Sequence, residues 1–317
     1  MIVRIIKDWD YPDIFRQTPS GTKIWGDVEF TTDNILEFDY LVVLNRSEKE
    51  VTFRCRKKGR FLFTQEPPIA GYEWHKKLFG YFDKVYTSWD VNAPNIVHGQ
   101  GCLPWHIDKT YDELINLAAN DGLIKQDKIS WITSNARQKP GQILRMDFKD
   151  QIEGVLDFDL YGRGFRQIDD KFNVLYPYKY SFALENNSCN DYWTEKISDC
   201  FLSWTIPIYS GCTNITDYFP KNSIIQIDPT RPQEAIEKIQ GAINEGFWEK
   251  NLSSLSEARN LVLNKYQLFP FVVDNLNKNI EKKTWHYLPS NNLDEPIDKK
   301  KVLINTLKMR IKTVLNV

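Results

Sequence analysis

The sequence predicts an α/β protein built from two domains. Short apolar runs that fit buried strands alternate with amphipathic stretches that fit helices, and this alternation is typical of mostly parallel sheets. The alternation occurs before residue 125 and again after it. A chain of 317 residues is long for one domain and comfortable for two. We therefore predict a first domain over residues 1–125, a second over 126–285 and a tail over 286–317.

The first domain is predicted to contain four strands and one helix. The strands are apolar runs bounded by polar or turn residues. They are Ile2–Ile6, Phe38–Leu44, Arg60–Phe63 and Val85–Thr87. The helix, Tyr111–Gly122, carries spaced apolar residues and ends at a glycine. The polar stretch Lys125–Lys128 is interpreted as a linker.

The second domain repeats the pattern. Its predicted strands are Ile129–Ile132, Val155–Tyr161, Tyr178–Leu184, Ile206–Tyr209 and Ser223–Ile227. Its predicted helices are Gln142–Ile152, Tyr192–Trp204, Pro232–Glu245 and Ser253–Lys265. In the second of these helices, one face is apolar and is expected to be buried. That face consists of Trp193, Ile197, Cys200, Phe201 and Trp204.

Composition excludes several classes of protein. The net charge of −1 provides no basic field for nucleic acid. No run of about 18 apolar residues is present, so no membrane-spanning helix is predicted. The N-terminus is interpreted as a strand and not as a signal peptide. Five irregularly spaced cysteines fit reduced thiols better than a zinc site or disulfides. These features predict a cytoplasmic location.

A carboxylate and an ammonium stand at the opening of the predicted helix Tyr192–Trp204. Thr194 or Asp191 can cap this helix, and the free N–H groups of its first turn attract anions. Lys196 adds a positive charge suited to a diphosphate, and Glu195 can accept hydrogen bonds from ribose hydroxyls. The alternative is that Glu195 only stabilises the first helical turn and that Lys196 is solvated.

Two further residues are candidates for chemistry. Glu66 follows a predicted strand and precedes Pro67 and Pro68, which stiffen its loop. A carboxylate held in this way can act as a general base, although an ordinary solvated loop acid fits the same pattern. Arg145 can grip a phosphate through two hydrogen bonds, and its alternative is a surface arginine of a helix.

The motif Asp157-Phe158-Asp159 places two carboxylates on one face of a strand. Such oxygen ligands can hold Mg²⁺ or Mn²⁺. The alternation of Leu156, Phe158 and Leu160 with these aspartates instead favours the polar face of a half-buried strand. The pattern by itself leaves both interpretations open.

The tail is basic and amphipathic. Its cationic residues are Lys299, Lys300, Lys301, Lys308, Arg310 and Lys312. Its apolar residues Leu303, Leu307, Ile311 and Val314 fall on one helical face. This pattern fits peripheral contact with an anionic membrane. It fits a helix that docks on the body of the protein equally well.

One long segment of the chain resembles a known family. The matching motifs, in order, are Glu185-Asn186, Tyr192–Lys196, Ile206–Gly211, Tyr218–Pro220 and Ile225–Asp228. Their order and spacing resemble the family-10 glycosyltransferases, the α-1,3/4-fucosyltransferases, of the bacterial type. Weaker similarity extends upstream, through Ser134-Asn135, Asp159–Gly162 and Phe63–Glu66.

The resemblance implies a GT-B fold, in which two Rossmann-like domains face each other across a cleft. It implies that the second domain binds GDP-fucose and that the first binds a glycan acceptor such as a lipopolysaccharide. By motif position, the implied roles are ribose binding for Glu195, diphosphate binding for Lys196 and Arg145, and pocket lining for Asn186 and Tyr192. Glu66 is implied as the base of an inverting transfer. No metal cofactor is expected to be required, and a divalent ion would at most be stimulatory.

Two alternatives stay open. Leu184 and Ser210 differ from the residues usual in the family, so a related enzyme that uses another nucleotide sugar is one alternative. The other is a glycan- or nucleotide-binding module without catalytic activity. The presence of Glu66, Arg145, Glu195 and Lys196 argues against this second alternative.

Overall fold

The computed structural model describes residues 1–119, 122–279 and 282–290. The chain divides into two units. The first contains Met1–Tyr11, Lys23–Gly101 and the described residues from Val272 onward, and the second contains Pro12–Thr22 and Cys102–Phe271. The chain therefore changes unit after Gly101, whereas the sequence suggested residue 125. The basic stretch at 299–312 lies outside the described residues, so its contact with a membrane stays a prediction.

The elements run as follows. The strands are β1 Ile2–Lys7, β2 Ile24–Trp25, β3 Val28–Thr31, β4 Tyr40–Leu44, β5 Val51–Arg56, β6 Arg60–Phe63, β7 Lys84–Thr87, β8 Ile96–His98, β9 Gln126–Ile132, β10 Phe158–Tyr161, β11 Tyr178–Leu184, β12 Ile206–Ser210, β13 Ile225–Gln226 and β14 Lys283–Leu288. The α-helices are α1 His75–Leu78, α2 Tyr111–Asn116, α3 Pro140–Ile152, α4 Glu195–Leu202, α5 Pro232–Asn244, α6 Phe247–Lys250, α7 Leu252–Leu261 and α8 Leu268–Asn275. A π-helical turn, Val262–Tyr266, follows α7.

The first unit is built on a seven-stranded sheet in the order β2-β3-β1-β4-β6-β7-β8. All neighbours in it are parallel except β2 and β3. The central strand β4 is buried along its whole length, which explains its continuous apolar sequence. A separate antiparallel ribbon pairs β5 with β14. Phe53 and Cys55 of β5 pack into the core beside Leu41 and Val43.

The second unit is built on a five-stranded sheet in the order β10-β9-β11-β12-β13, and every pair in it is parallel. Trp131 of β9 packs against Phe182 of β11 with ring centroids 4.7 Å apart. Phe148 of α3 meets both rings edge-on. The predicted apolar face of α4 is confirmed as buried at Ile197, Cys200 and Phe201.

Several predicted boundaries are wrong. The helix predicted over Tyr111–Gly122 ends at Asn116, and the one predicted from Tyr192 begins at Glu195. The strand predicted from Val155 begins at Phe158, because Val155 lies in an exposed turn. Helix ends depend on capping groups, which periodicity does not reveal.

The predicted linker Lys125–Lys128 is also wrong. Lys125 is buried, and its ammonium donates to the carbonyls of Tyr176, Tyr178 and Ser203. Burial lowers the pKa of Lys125 to about 7. Strand β9 then begins at Gln126. The sequence looked like a linker because the carbonyls that satisfy this lysine come from distant parts of the chain.

Among the described residues, no helix has the length and apolar character needed to cross a membrane.

Candidate functional site

The central strand of the second sheet ends in a buried carboxylate. Glu185 comes directly after β11, and its side chain has no exposed area. Its oxygens accept hydrogen bonds from the Thr194 backbone N–H at 2.8 Å and from the Thr194 hydroxyl. The carboxyl ends of parallel strands are where α/β sheets bind ligands. Glu185 therefore connects the end of β11 to the beginning of the next helix at such an edge.

Thr194 is the N-cap of α4, and its hydroxyl accepts from the backbone N–H of Lys196 at 3.4 Å. This confirms the predicted capping by Thr194. The Lys196 ammonium lies 3.3 Å from Glu185 Oε2 and 3.1 Å from the Thr194 hydroxyl. It also lies 3.5 Å from Glu195 Oε1, and a quarter of its side chain is exposed. Lys196 is thus fixed in position and remains accessible.

Three residues at this site were not found by sequence reasoning. The Lys171 ammonium lies 3.0 Å from Asp199 Oδ2 and 3.6 Å from Glu195 Oε1. The other oxygen of Asp199 accepts from the His106 backbone N–H at 2.8 Å. Asp199 lies one helical turn after Glu195, so this helical spacing could have identified Asp199 from the sequence. Lys171 begins a short 3₁₀ turn, Lys171–Val174, and no sequence pattern pointed to it.

Arg145 completes the arrangement from α3. Its guanidinium is buried, and it donates to the side chain of Asn186 and to the Leu184 carbonyl. Its Nε has no hydrogen-bond partner among the described residues. The phenol of Tyr192, which is also buried, acts on the guanidinium electrostatically. The predicted residues Arg145, Asn186, Tyr192, Glu195 and Lys196 thus lie in one region of the second unit.

We call six side chains of this region the charged cluster. They are Arg145, Lys171, Glu185, Glu195, Lys196 and Asp199. Three are cationic and three are carboxylates, so the described cluster is formally neutral.

The charged groups of the cluster shift one another's pKa values. Burial raises the pKa of Glu195, but the positive charges of Lys196 and Lys171 outweigh it and hold that pKa well below its usual range. Burial also raises the pKa of Glu185, and here the net shift is upward although Lys196 opposes it. Burial lowers the pKa of Lys196, but Glu185 and Glu195 reverse this, so the net shift is upward. Glu195 and Lys196 are therefore both ionised at neutral pH.

A cavity of about 120 Å³ opens beside the cluster. It is lined by Lys171, Glu195, Lys196 and Asp199, and by Ser181 and Phe182 of β11. Pockets that hold a drug-sized ligand usually measure ~300–1,000 Å³. This cavity is therefore sized for one small polar part of a ligand. Its lining carries the ammonium groups of Lys171 and Lys196 and the carboxylates of Glu195 and Asp199.

Close packing of α3 against the loop after β11 gives a testable consequence. A Cβ on Gly141 would lie 2.1 Å from the backbone oxygen of Asn186. The backbone could move away from this Cβ only at a cost in stability. We expect Gly141→Ala to lower the free energy of unfolding by about 1–3 kcal/mol. The matched control is Gly241→Ala in α5, where a Cβ meets nothing within 4 Å. That change is expected to raise the free energy by about 0.4–1 kcal/mol. Equal denaturation midpoints for the two variants would contradict this packing.

Glu66 lies in the first unit, in the loop after β6. The residue before it is firmly held, because the Gln65 backbone N–H donates to Asn45 Oδ1 at 2.8 Å. The Gln65 side chain accepts from the Trp9 indole at 2.9 Å. The Glu66 side chain is half-buried and makes no hydrogen bond or ion pair within the described ranges. The backbone next to Glu66 is thus held in position, and the Glu66 carboxylate is left without a partner within these ranges.

The carboxylates of Asp157 and Asp159, the predicted aspartate pair, bind other side chains. Lys128 lies 3.2 Å from Asp157 and 2.9 Å from Asp159. Asp159 also accepts from the Tyr178 hydroxyl at 2.7 Å. In the part of the chain that the structure describes, no group of three His, Cys, Asp or Glu side chains is arranged to hold a metal ion.

Comparison with known proteins gives consistent similarities. Residues 123–241 match the family model described as glycosyltransferase family 10 (fucosyltransferase) C-term. Over 147 residues the chain is 31% identical to alpha-(1,3)-fucosyltransferase B of Drosophila melanogaster, covering 40% of this chain and 33% of the relative. Over 81 residues it is 32% identical to GDP-fucose protein O-fucosyltransferase 3 of Danio rerio, covering 25% and 18%. The chain thus spans a third or less of these curated relatives.

A crystal structure of an alpha1,3-fucosyltransferase is similar over 84% of this chain and 90% of its own. The TM-score is 0.50 and the sequence identity is 14%, so this likeness concerns the fold alone. Together with the parallel sheet in each unit, it confirms the predicted α/β fold of the GT-B class.

Proposed function

We propose that this chain is a fucosyltransferase of glycosyltransferase family 10, whose C-terminal family model matches residues 123–241, and that it transfers L-fucose from GDP-fucose to a hydroxyl group of a glycan. One observation carries the proposal: three cations converge at the carboxyl edge of the second sheet, within the segment that matches the family. Lys171 and Lys196 line the small cavity there, and Arg145 adjoins them. Fixed cations and an N-terminal helix end are what a diphosphate requires.

We assign the donor-binding roles within this region. Lys196, Arg145 and Lys171 neutralise the diphosphate of GDP-fucose. Glu195 accepts hydrogen bonds from the ribose hydroxyls, because its depressed pKa keeps it ionised. Asn186 and Tyr192 line the same donor-binding pocket. Asn186 also holds the guanidinium of Arg145 in place.

The proposed step is a single displacement with inversion at the anomeric carbon. The acceptor oxygen forms a bond to C1 of fucose, while the bond from C1 to the β-phosphate oxygen breaks and its electron pair stays with GDP. The carboxylate of Glu66 takes the proton of the acceptor hydroxyl. The cations stabilise the charge that develops on the leaving diphosphate.

Calorimetric titration of the full chain with GDP, UDP and CMP tests the donor assignment. GDP is expected to bind most tightly, and GDP-fucose is expected to be the donor that is hydrolysed or transferred. Tighter binding of UDP or CMP would point to another nucleotide sugar. Absence of binding by all three nucleotides would overturn the enzymatic proposal.

Removal of divalent metal ions by a chelator is expected to leave the transfer activity unchanged. The cationic side chains already supply the positive charge that a divalent ion would bring to the diphosphate. Initial rates should therefore agree between excess EDTA and added Mg²⁺ or Mn²⁺. Loss of activity in EDTA with recovery on adding the metal would show that these side chains do not suffice.

A further inference from the structure

The carboxyl edge of the first sheet carries a row of hydrogen bonds that joins three strand ends. Strands β1, β4 and β6 are adjacent and parallel, so their carboxyl ends lie side by side. Asp8 follows β1 directly, Asn45 follows β4 directly, and Gln65 stands two residues after β6. The Asn45 amide donates to Asp8 Oδ1 at 3.2 Å, and its oxygen accepts from the Gln65 backbone N–H at 2.8 Å. One side chain thus connects the three strand ends.

Asn45 has a backbone conformation that few residues adopt. Its φ is +63°, in the left-handed region, where glycine is the least strained residue and asparagine is tolerated. Glycine would satisfy the backbone at this position but would remove the amide. The amide is buried and uses both of its ends, and Nε2 of the buried His75 lies 3.4 Å from its oxygen. The position therefore combines a left-handed backbone with an amide, and asparagine provides both.

Asp8 determines which way the amide of Asn45 points. A carboxylate accepts hydrogen bonds and does not donate them, so the NH2 group of Asn45 faces Asp8 and its oxygen faces Gln65. The second oxygen of Asp8 accepts from the Arg46 guanidinium at 2.9 Å, which holds the carboxylate in turn. That guanidinium also lies over the Trp74 ring, 4.6 Å from its centroid. The oxygen of Asn45 is therefore presented to Gln65 in one orientation.

Gln65 is held by its side chain as well as by its backbone. Its side chain accepts from the Trp9 indole at 2.9 Å and donates to the Gly101 carbonyl at 3.2 Å. Gln65 is buried, so these bonds are shielded from water. The next residue is Glu66, and Pro67 after it restricts the Glu66 backbone to extended conformations. Glu66 thus stands between a fixed residue on one side and a stiff residue on the other.

We propose that Asn45 is a positioning residue of the transfer reaction, which sets the place of the Glu66 carboxylate through the backbone of Gln65. The proposal rests on the proposed function, in which Glu66 takes the proton of the acceptor hydroxyl. Asn45 acts through the loop and not by contact with the substrate. A general base must come within about 2.6–3.2 Å of the oxygen whose proton it takes. A displacement of this loop by about 1 Å therefore lowers kcat and leaves donor binding unchanged.

Asn45→Gly tests the proposal, because glycine keeps the left-handed backbone and removes only the amide. With GDP-fucose and N-acetyllactosamine as substrates, we expect kcat to fall about 10–100-fold. The Kd for GDP should not change, and the acceptor KM should stay within about threefold of the wild-type value. The matched control is Ser20→Gly, since Ser20 is exposed and also has a left-handed backbone, with a φ of +52°. It should behave like the wild type, and a wild-type kcat for Asn45→Gly would overturn the proposal.

An exchange of two side chains separates positioning from a general loss of stability. Asn45→Asp alone puts a carboxylate oxygen where the amide nitrogen now lies 3.2 Å from Asp8, so it should lower kcat as Asn45→Gly does. The double variant Asp8→Asn/Asn45→Asp reverses the direction of this hydrogen bond and again offers an oxygen to the Gln65 N–H. We expect it to recover kcat to within about fivefold of the wild type. A double variant no more active than Asn45→Asp would contradict the proposal.

Hydrogen exchange measured by mass spectrometry separates this proposal from the proposed function. The segment that contains Gln65 and Glu66 should exchange about tenfold faster in Asn45→Gly than in the wild type, and the double variant should restore slow exchange. Unchanged exchange in Asn45→Gly would refute the positioning role even if Glu66 is the base. If Glu66→Gln is inactive while Asn45→Gly is fully active, only this proposal fails. If Glu66→Gln transfers fucose at the wild-type rate, the proposed base is wrong and this proposal fails with it.

Discussion

The Glu66→Gln variant is expected to lose transfer activity by about 10²–10⁴-fold while it binds GDP as tightly as the wild type. Glutamine has the shape of glutamate but cannot take the proton of the acceptor hydroxyl. The surrounding loop should keep its position, because Asn45 and Trp9 hold Gln65 and not Glu66. The change therefore isolates proton transfer from folding and from donor binding.

Initial rates with saturating GDP-fucose measure the loss, and calorimetry with GDP measures binding. The matched control is Glu73→Gln, because Glu73 is an exposed carboxylate of the same unit, and among the described residues its side chain makes only a 4.0 Å ion pair with Lys76. Its activity should equal that of the wild type. Turnover of Glu66→Gln near the wild-type rate would show that another group takes the proton.

The Lys196→Ala variant is expected to weaken GDP binding by about 1.5–3 kcal/mol, the usual contribution of a charged hydrogen bond. This corresponds to a roughly 10–150-fold higher Kd. Lys196 is the cation that lines the small cavity and also stands in the first turn of α4, so its ammonium and its backbone N–H both favour a phosphate there. Lys171 also lines the cavity, so it should retain part of the affinity in the variant.

The variant also disturbs the fold, and this effect needs its own control. Without Lys196, the fully buried Glu185 loses its closest cation. The double variant Glu185→Gln/Lys196→Ala removes that charge, so it should recover stability without recovering GDP affinity. Lys179→Ala removes a lysine that pairs with Asp127 and Glu249, outside the cluster. A GDP affinity for Lys196→Ala equal to that of Lys179→Ala would remove Lys196 from the diphosphate role.

The strongest sequence signals were local. Strand β11 was predicted with its exact limits, because seven mostly apolar and aromatic residues stand between turn residues. Helix α3 was predicted to within two residues, since its apolar positions repeat every turn. The pairing of β5 with β14 was missed, because it joins segments near opposite ends of the chain.

Prediction of the candidate site was limited in the same way, to residues close together in the sequence. Residues close to one another in sequence, from Glu185 to Lys196, were recognised through their spacing. Lys171 and His106 were missed, because only the folded chain places them beside Asp199. The buried Lys125 was misinterpreted for the same reason, since its three carbonyl partners come from residues 176–203.

The formal neutrality of the charged cluster has a thermodynamic consequence. A bound diphosphate adds negative charge to the cluster, in which three carboxylates already balance the three cations. We therefore expect nucleotide binding to take up a proton from solvent, with Glu185, whose pKa is already raised, as its site. Linkage then makes affinity highest at low pH and reduces it as pH rises through the Glu185 pKa of the complex. The heat of binding would accordingly vary with the ionisation enthalpy of the buffer.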